Sequence, residues 1–145
     1  MTGDDEVTVA DDVVEGLWEH DADGVVHLLG GACTACGRTH FPLGPRCPWC
    51  GHEPVERRRL DRRATLWGWT AVTAAPPGYE GPVPFGFGVV EQADGLRLIT
   101  RLTVAEPDAL HFGQPMVLVL DGIGPDGGAP RTWAFAPAES AEGTP

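Results

Sequence analysis

Cys33-Thr34-Ala35-Cys36-Gly37 and Cys47-Pro48-Trp49-Cys50-Gly51 are two short cysteine turns, CxxCG and CPxCG, with ten residues between the second cysteine of one and the first of the other. A CxxC turn brings two sulfurs to one point with backbone amides facing them. The glycine that follows can take the left-handed conformation the turn needs. Two such turns deliver four sulfurs in a tetrahedral set. Residues 33–51 are rich in Gly, Pro and Cys and hold too few consecutive apolar residues to form a core unaided. A bound cation then has to contribute to folding this segment.

With sulfur in all four positions, Zn²⁺ has no open site for water or substrate. The spacing therefore predicts one structural zinc held by Cys33, Cys36, Cys47 and Cys50. Three alternatives exist: two disulfides, a redox-active dithiol, and an iron centre, since the knuckles also resemble those of rubredoxin. A reducing compartment opposes the first and the matched pair of knuckles the second. The short separation and missing core favour a zinc ribbon over the third. His40 and His52 adjoin the knuckles, but four thiolates complete the shell, so both read as exposed or supporting residues.

The formal charge of -11 is unevenly spread. Residues 1–23 carry nine acids and no basic residue, while the other twelve acids face ten arginines, leaving residues 24–145 at -2. Twenty Gly and 14 Pro in 145 residues argue for strands and turns over long helices, in one domain or two small units. No stretch approaches the ~20 apolar residues of a membrane helix. The acidic beginning is the opposite of a secretory or mitochondrial leader, and a cytoplasmic protein without membrane attachment is expected.

Ala10, Val13, Val14, Leu17 and Trp18 recur at steps of three and four, which predicts a short amphipathic helix over residues 7–19. Residues 25–29 read as a strand leading to Gly30 and Gly31, and residues 56–63 (ERRRLDRR) as a charged connector. Beyond it, residues 64–72, 85–91, 96–102, 116–120 and 131–135 read as strands, the second and third forming a hairpin. Alternation in the third puts Arg97 and Arg101 on one face and Leu96, Leu98 and Leu102 on the other. Five strands with no more than a turn near 107–110 between them suit a small barrel, the OB-fold foremost. The expected class is mainly β: a short N-terminal helix, a four-cysteine zinc ribbon and a five-stranded OB-fold barrel. The expected division is an acidic leader with helix at 1–24, the ribbon at 25–55, the barrel at 56–137 and a tail at 138–145.

No Ser/His/Asp set, Cys/His pair or Gly-rich phosphate loop stands out, and His27 and His111 read as core or surface residues. Trp67 and Trp69 alternate with the small residues Gly68 and Thr70 and so share a face, as a base-stacking platform or as core. The net charge opposes binding to a phosphate backbone, and only Arg57, Arg58, Arg59, Arg62 and Arg63 with Arg97 and Arg101 favour it. A single-stranded nucleic-acid-binding module is thus an alternative function. The arginine cluster also reads as a solvated linker, or as an anion site for a phosphate-bearing ligand or an acidic partner.

The order VVEGLW, LLGGACTACG, Phe41-Pro42 ahead of PRCPWCG, and then five strands resembles the OB-fold acyl-CoA-associated zinc-ribbon family. APPGY before the second strand, GQPMV entering the fourth and FAP closing the fifth extend the resemblance over residues 13–137. It implies a non-catalytic accessory subunit that supports a thiolase-superfamily or thiolase-like aldolase protein acting on acyl-CoA thioesters. The pair would form a hetero-oligomer, with the acyl-CoA shared and the catalytic residues on the partner. Among the partners the resemblance implies is a retro-aldol lyase of actinobacterial steroid side-chain degradation, and the Lys-free, Arg- and Gly-rich composition fits a high-GC actinobacterial source. Accessory roles to an acyl-CoA hydratase, acetyl-CoA acetyltransferase or hydroxymethylglutaryl-CoA synthase are further alternatives. On this resemblance Arg46, Arg57, Arg58 and Arg59 become candidate contacts to CoA or the partner, and the long acidic leader is a departure from the pattern.

Overall fold

The apolar run ahead of the first knuckle becomes strand β2 (Val26–Cys33), around which the N-terminal part is organised. In the computed structural model, which describes residues 16–138, three strands pair antiparallel with it. These are β1 (Trp18–His20), β3 (Thr39–His40) and β4 (Val55–Arg59). β2 runs into the first knuckle, β3 leaves it, and β4 follows the second, so one small sheet carries both cysteine turns.

Trp18 and Glu19, expected at the end of a helix, are strand residues instead, with Trp18 opposite Leu28 and the Leu29 N–H donating to the Leu17 carbonyl at 2.9 Å. The remainder of the expected helix, residues 7–15, lies outside the described residues. Strand pairing buries the Trp18 indole in the core, and this tertiary gain overrides the three-and-four spacing. The charged connector is also corrected. Residues 56–59 form most of β4, pairing with β2 from Cys33↔Val55 to Leu29↔Arg59, and the first barrel strand begins only at Arg63. A two-sided polar strand is tolerated there because Glu19, on β1 across β2, receives Arg57 and Arg59.

The barrel contains β5 (Arg63–Val72), β6 (Phe85–Glu91), β7 (Arg97–Leu102), β8 (Pro115–Gly122) and β9 (Arg131–Pro137). Their order β5-β6-β7-β9-β8 closes through β5 against β8, and β7 with β9 is the parallel pair. This is the five-stranded OB-type barrel. The β6–β7 hairpin forms as expected, and a 3₁₀ turn occupies Pro107–Ala109. None of the described helical segments is long and apolar enough to cross a membrane.

One irregularity changes what the surface presents. The β5–β6 register shifts between Leu66 and Gly68, leaving Trp67 as the extra residue of a bulge. A bulge reverses the in-out alternation beyond it. Ala64 and Leu66 point into the core before it, and Trp69 packs against the core after it with its indole N–H on the Pro107 carbonyl at 3.0 Å. Trp67 is 44% exposed. The two tryptophans therefore do not share a face.

Ribbon and barrel share one core. Trp18, Val26, Leu28 and Leu60 from the ribbon side join Leu66, Met116, Leu118 and Phe135 of the barrel in a continuous buried cluster. Arg62 spans the junction: its Nε donates to the Val26 carbonyl at 2.9 Å and its Nη2 to the Leu118 carbonyl at 2.8 Å. At the other side of β2, Gly31 is required by close approach, since a Cβ there would lie 2.5 Å from the His40 ring. Removing Arg62 strands two carbonyls in part-buried surroundings, at about 1–3 kcal/mol for the pair. Arg62→Ala should lower the urea midpoint accordingly, and Arg62→Lys should fail to restore it because one ammonium cannot reproduce the forked geometry.

Candidate metal centre

Each knuckle is a tight hairpin built from its own backbone. The Cys33 N–H donates to the Arg38 carbonyl at 2.9 Å, and the Gly37 N–H to the Cys33 carbonyl at 3.0 Å. The second knuckle repeats this with Cys47 to His52 and Gly51 to Cys47, both at 2.9 Å. Gly37 and Gly51 close the turns at φ +78° and +80°, where a side chain would be strained. The amides left inside point at sulfur: Ala35 and Cys36 donate to Cys33 Sγ at 3.3 Å, and Trp49 to Cys47 Sγ at 3.4 Å.

The four Sγ atoms lie within 4.8 Å of one another. The short approaches run between knuckles, Cys33 to Cys50 at 3.6 Å and Cys36 to Cys47 at 3.7 Å. A tetrahedral ion with metal–sulfur bonds of about 2.3 Å separates its sulfurs by about 3.8 Å. Disulfide sulfurs would sit at about 2.05 Å, and all four cysteines are free. The donor set can hold one metal ion as a ribbon of the zinc type. Cys33 and Cys47 form the buried side of the cluster, and Cys36 and Cys50 the exposed side.

The electrostatics point the same way. The Cys36 backbone N–H, with that of Ala35, holds the Cys33 thiol down at about 6. At Cys50 the His52 backbone N–H also favours the thiolate, but the neighbouring sulfur of Cys33, with burial and the Cys47 and Cys36 sulfurs, pushes the thiol up to about 11. Four thiolates cannot crowd together unaided, and a cation at their centre removes the conflict.

The histidines beside the knuckles part company. His52 is exposed. His40, expected to be exposed or to support the metal shell, is buried against Gly31, with neither ring nitrogen hydrogen-bonded among the described residues. The Gly30-Gly31 pair was the available signal, because only a strand without Cβ atoms leaves room for a ring lying on it. His27 is held by Asp21 at 3.1 Å, and His111 is exposed in a turn.

The candidate arginines lie at separate places. Arg46 pairs with Glu53 at 2.5 Å near the second knuckle. Arg57 and Arg59 share the Glu19 carboxylate, and Arg58 falls on the opposite face of β4. Hydrogen bonds from Arg59 and then Arg57 hold the Glu19 carboxyl below its ordinary value. Its contribution to stability is complete above the ordinary carboxylate range and is lost as pH falls through the lowered value. Glu19→Gln should therefore flatten the acid limb of a plot of thermal midpoint against pH, and leave the limb above pH 7 unchanged. For the centre itself, elemental analysis should find one metal ion per chain. Cys33→Ser or Cys47→Ser should lose it and melt the ribbon, a result checked by metal content together with amide exchange of residues in β2 to β4.

Comparison with known proteins agrees with this architecture. Residues 57–121 match the family model described as ChsH2, C-terminal OB-fold domain. A DUF35 domain-containing scaffold protein of Pyrococcus furiosus is 29% identical over 106 residues, covering 73% of this chain and 76% of that protein. A probable enoyl-CoA hydratase alpha subunit of Thermomonospora curvata is 31% identical over 87 residues, which is 59% of this chain but 27% of that protein. Among solved structures, an Ltp2-ChsH2(DUF35) aldolase superposes with a TM-score of 0.60 at 28% identity, over 77% of this chain and 85% of the matched one. Ribbon, barrel order and these matches agree in making the chain similar to proteins with the OB-fold DUF35 architecture.

Proposed function

We propose that this chain is a non-catalytic scaffold subunit that binds and supports a thiolase-like enzyme acting on acyl-CoA thioesters, with one structural zinc in its ribbon. The observation that carries the reading is the likeness to the DUF35-containing aldolase complex over most of both chains. The scaffold description of the Pyrococcus furiosus relative supports it. The chemistry of the chain is consistent with that role: all four of its thiols are gathered in a cluster whose metal would have no open position. An aldolase partner is favoured over other thiolase relatives by the same structural neighbour, and retro-aldol cleavage of a steroid side chain is the specific reaction we assign to that partner. A cytoplasmic location accompanies the reading. An enoyl-CoA hydratase partner is the second reading, favoured by the Thermomonospora curvata relative. The nucleic-acid reading loses its stacking platform, since the bulge sends Trp67 and Trp69 to opposite faces of β5.

Co-expression with a thiolase-like acyl-CoA enzyme of the same genome tests the proposal. A stable complex is expected, and omitting this chain should reduce the enzyme's solubility or turnover at least several-fold. A monomer that neither binds that enzyme nor alters it would refute the scaffold role. Zinc in that complex, with no visible absorption band, distinguishes the proposed metal from iron.

A further inference from the structure

Where the first knuckle meets the β6–β7 turn, a cleft of about 480 Å³ opens between ribbon and barrel. Arg38 and Trp49 line it on the ribbon side, and Arg97 on the barrel side. The Arg38 guanidinium lies over the Trp49 ring at 5.2 Å, and that of Arg97 over the Trp67 ring at 4.2 Å. Both tryptophans are exposed, by 57% and 44%. Exposed tryptophan stacked with arginine is the pairing on which protein interfaces concentrate their binding energy.

We propose that this cleft docks an extended acidic segment of the partner enzyme, with carboxylates on Arg38 and Arg97, the latter held in place by Trp67, and an apolar side chain against the Trp49 indole. This rests on the scaffold reading above. Charge complementarity selects the occupant. Stacking uses the face of a guanidinium and leaves its edge N–H groups directed outward, where they match a carboxylate. The acid within the cleft, Asp94, is already engaged: its carboxylate accepts from Thr39 Oγ1 at 2.8 Å and from the Leu96 N–H at 3.1 Å. Glu91 takes the Nε of Arg97 at 3.1 Å and leaves the two terminal nitrogens.

The walls suit a polypeptide. At Gly37 and Gly95 an added Cβ would meet no atom within 4 Å, so a chain can approach the backbone there. Guanidiniums take phosphate as well as carboxylate, but a free phosphate leaves the exposed Trp49 indole uncovered, whereas a polypeptide side chain covers it. A second copy of this chain, docked isologously, would bring the same arginines towards each other.

The test titrates the full chain with a blocked heptapeptide of alternating Glu and Leu, read by tryptophan fluorescence, against its Gln counterpart and against adenosine 3′,5′-bisphosphate. Saturable binding of the acidic peptide is expected, weakened at least tenfold in Arg38→Gln/Arg97→Gln and in Trp67→Ala, both with wild-type metal content. Equal binding of the two peptides, or unchanged binding in the variants, overturns the proposal. So does displacement of the peptide by the bisphosphate, or self-association of the chain that the double variant abolishes. In co-expression with the thiolase-like acyl-CoA enzyme used above, loss of the complex in the double variant supports the cleft, whereas a complex of wild-type strength overturns the cleft and leaves the scaffold reading standing. If the wild-type chain captures no such enzyme the scaffold reading falls, and the peptide titration still decides the chemistry of the cleft.

Discussion

Four sulfurs crowded within 4.8 Å are the constraint from which the ribbon half of the molecule follows. Thiolates repel one another at that range, and between the knuckles only His40 is buried, with Phe41 half-buried against the core. A cation reverses the sign of the interaction, and the backbone is already arranged for it, with amide N–H groups on Cys33 and Cys47 and left-handed glycines closing both turns. Because β2, β3 and β4 all run into or out of the knuckles, an ion held there would also fix the register of the small sheet. That sheet in turn presents Trp18, Val26 and Leu28 to the barrel.

The barrel depends on the ribbon through the surface they share. Leu28 and Leu60 are buried with Leu118 and Phe135 in one cluster, so neither unit has a complete apolar face of its own. Arg62 ties the two backbones where the chain passes from one unit to the other. A side chain that sequence reading grouped with a solvated cationic run is thus an internal strut.

Legibility followed the range of the forces involved. The cysteine spacing, the alternation in β7 and the turn after Glu91 are local patterns, and local chemistry was enough to place them. Trp18 and residues 56–59 were misread because each is a strand only by virtue of a partner distant in sequence: Leu28 for one, and β2 with Glu19 for the other. The facing of Trp67 and Trp69 was missed because one extra residue at a bulge reverses the pleat, and nothing in the alternating sequence marks it. Pairing of Arg38 with Trp49 and of Arg97 with Trp67 requires tertiary placement, so the cleft had no linear signature.

The continuity of the core carries a consequence for metal loss. Ribbon and barrel bury their apolar residues in one cluster, so an event at the sulfurs is transmitted to a barrel that contains no metal ligand. Losing a metal held there would therefore cost the folded chain its ribbon and its barrel together, rather than one loop.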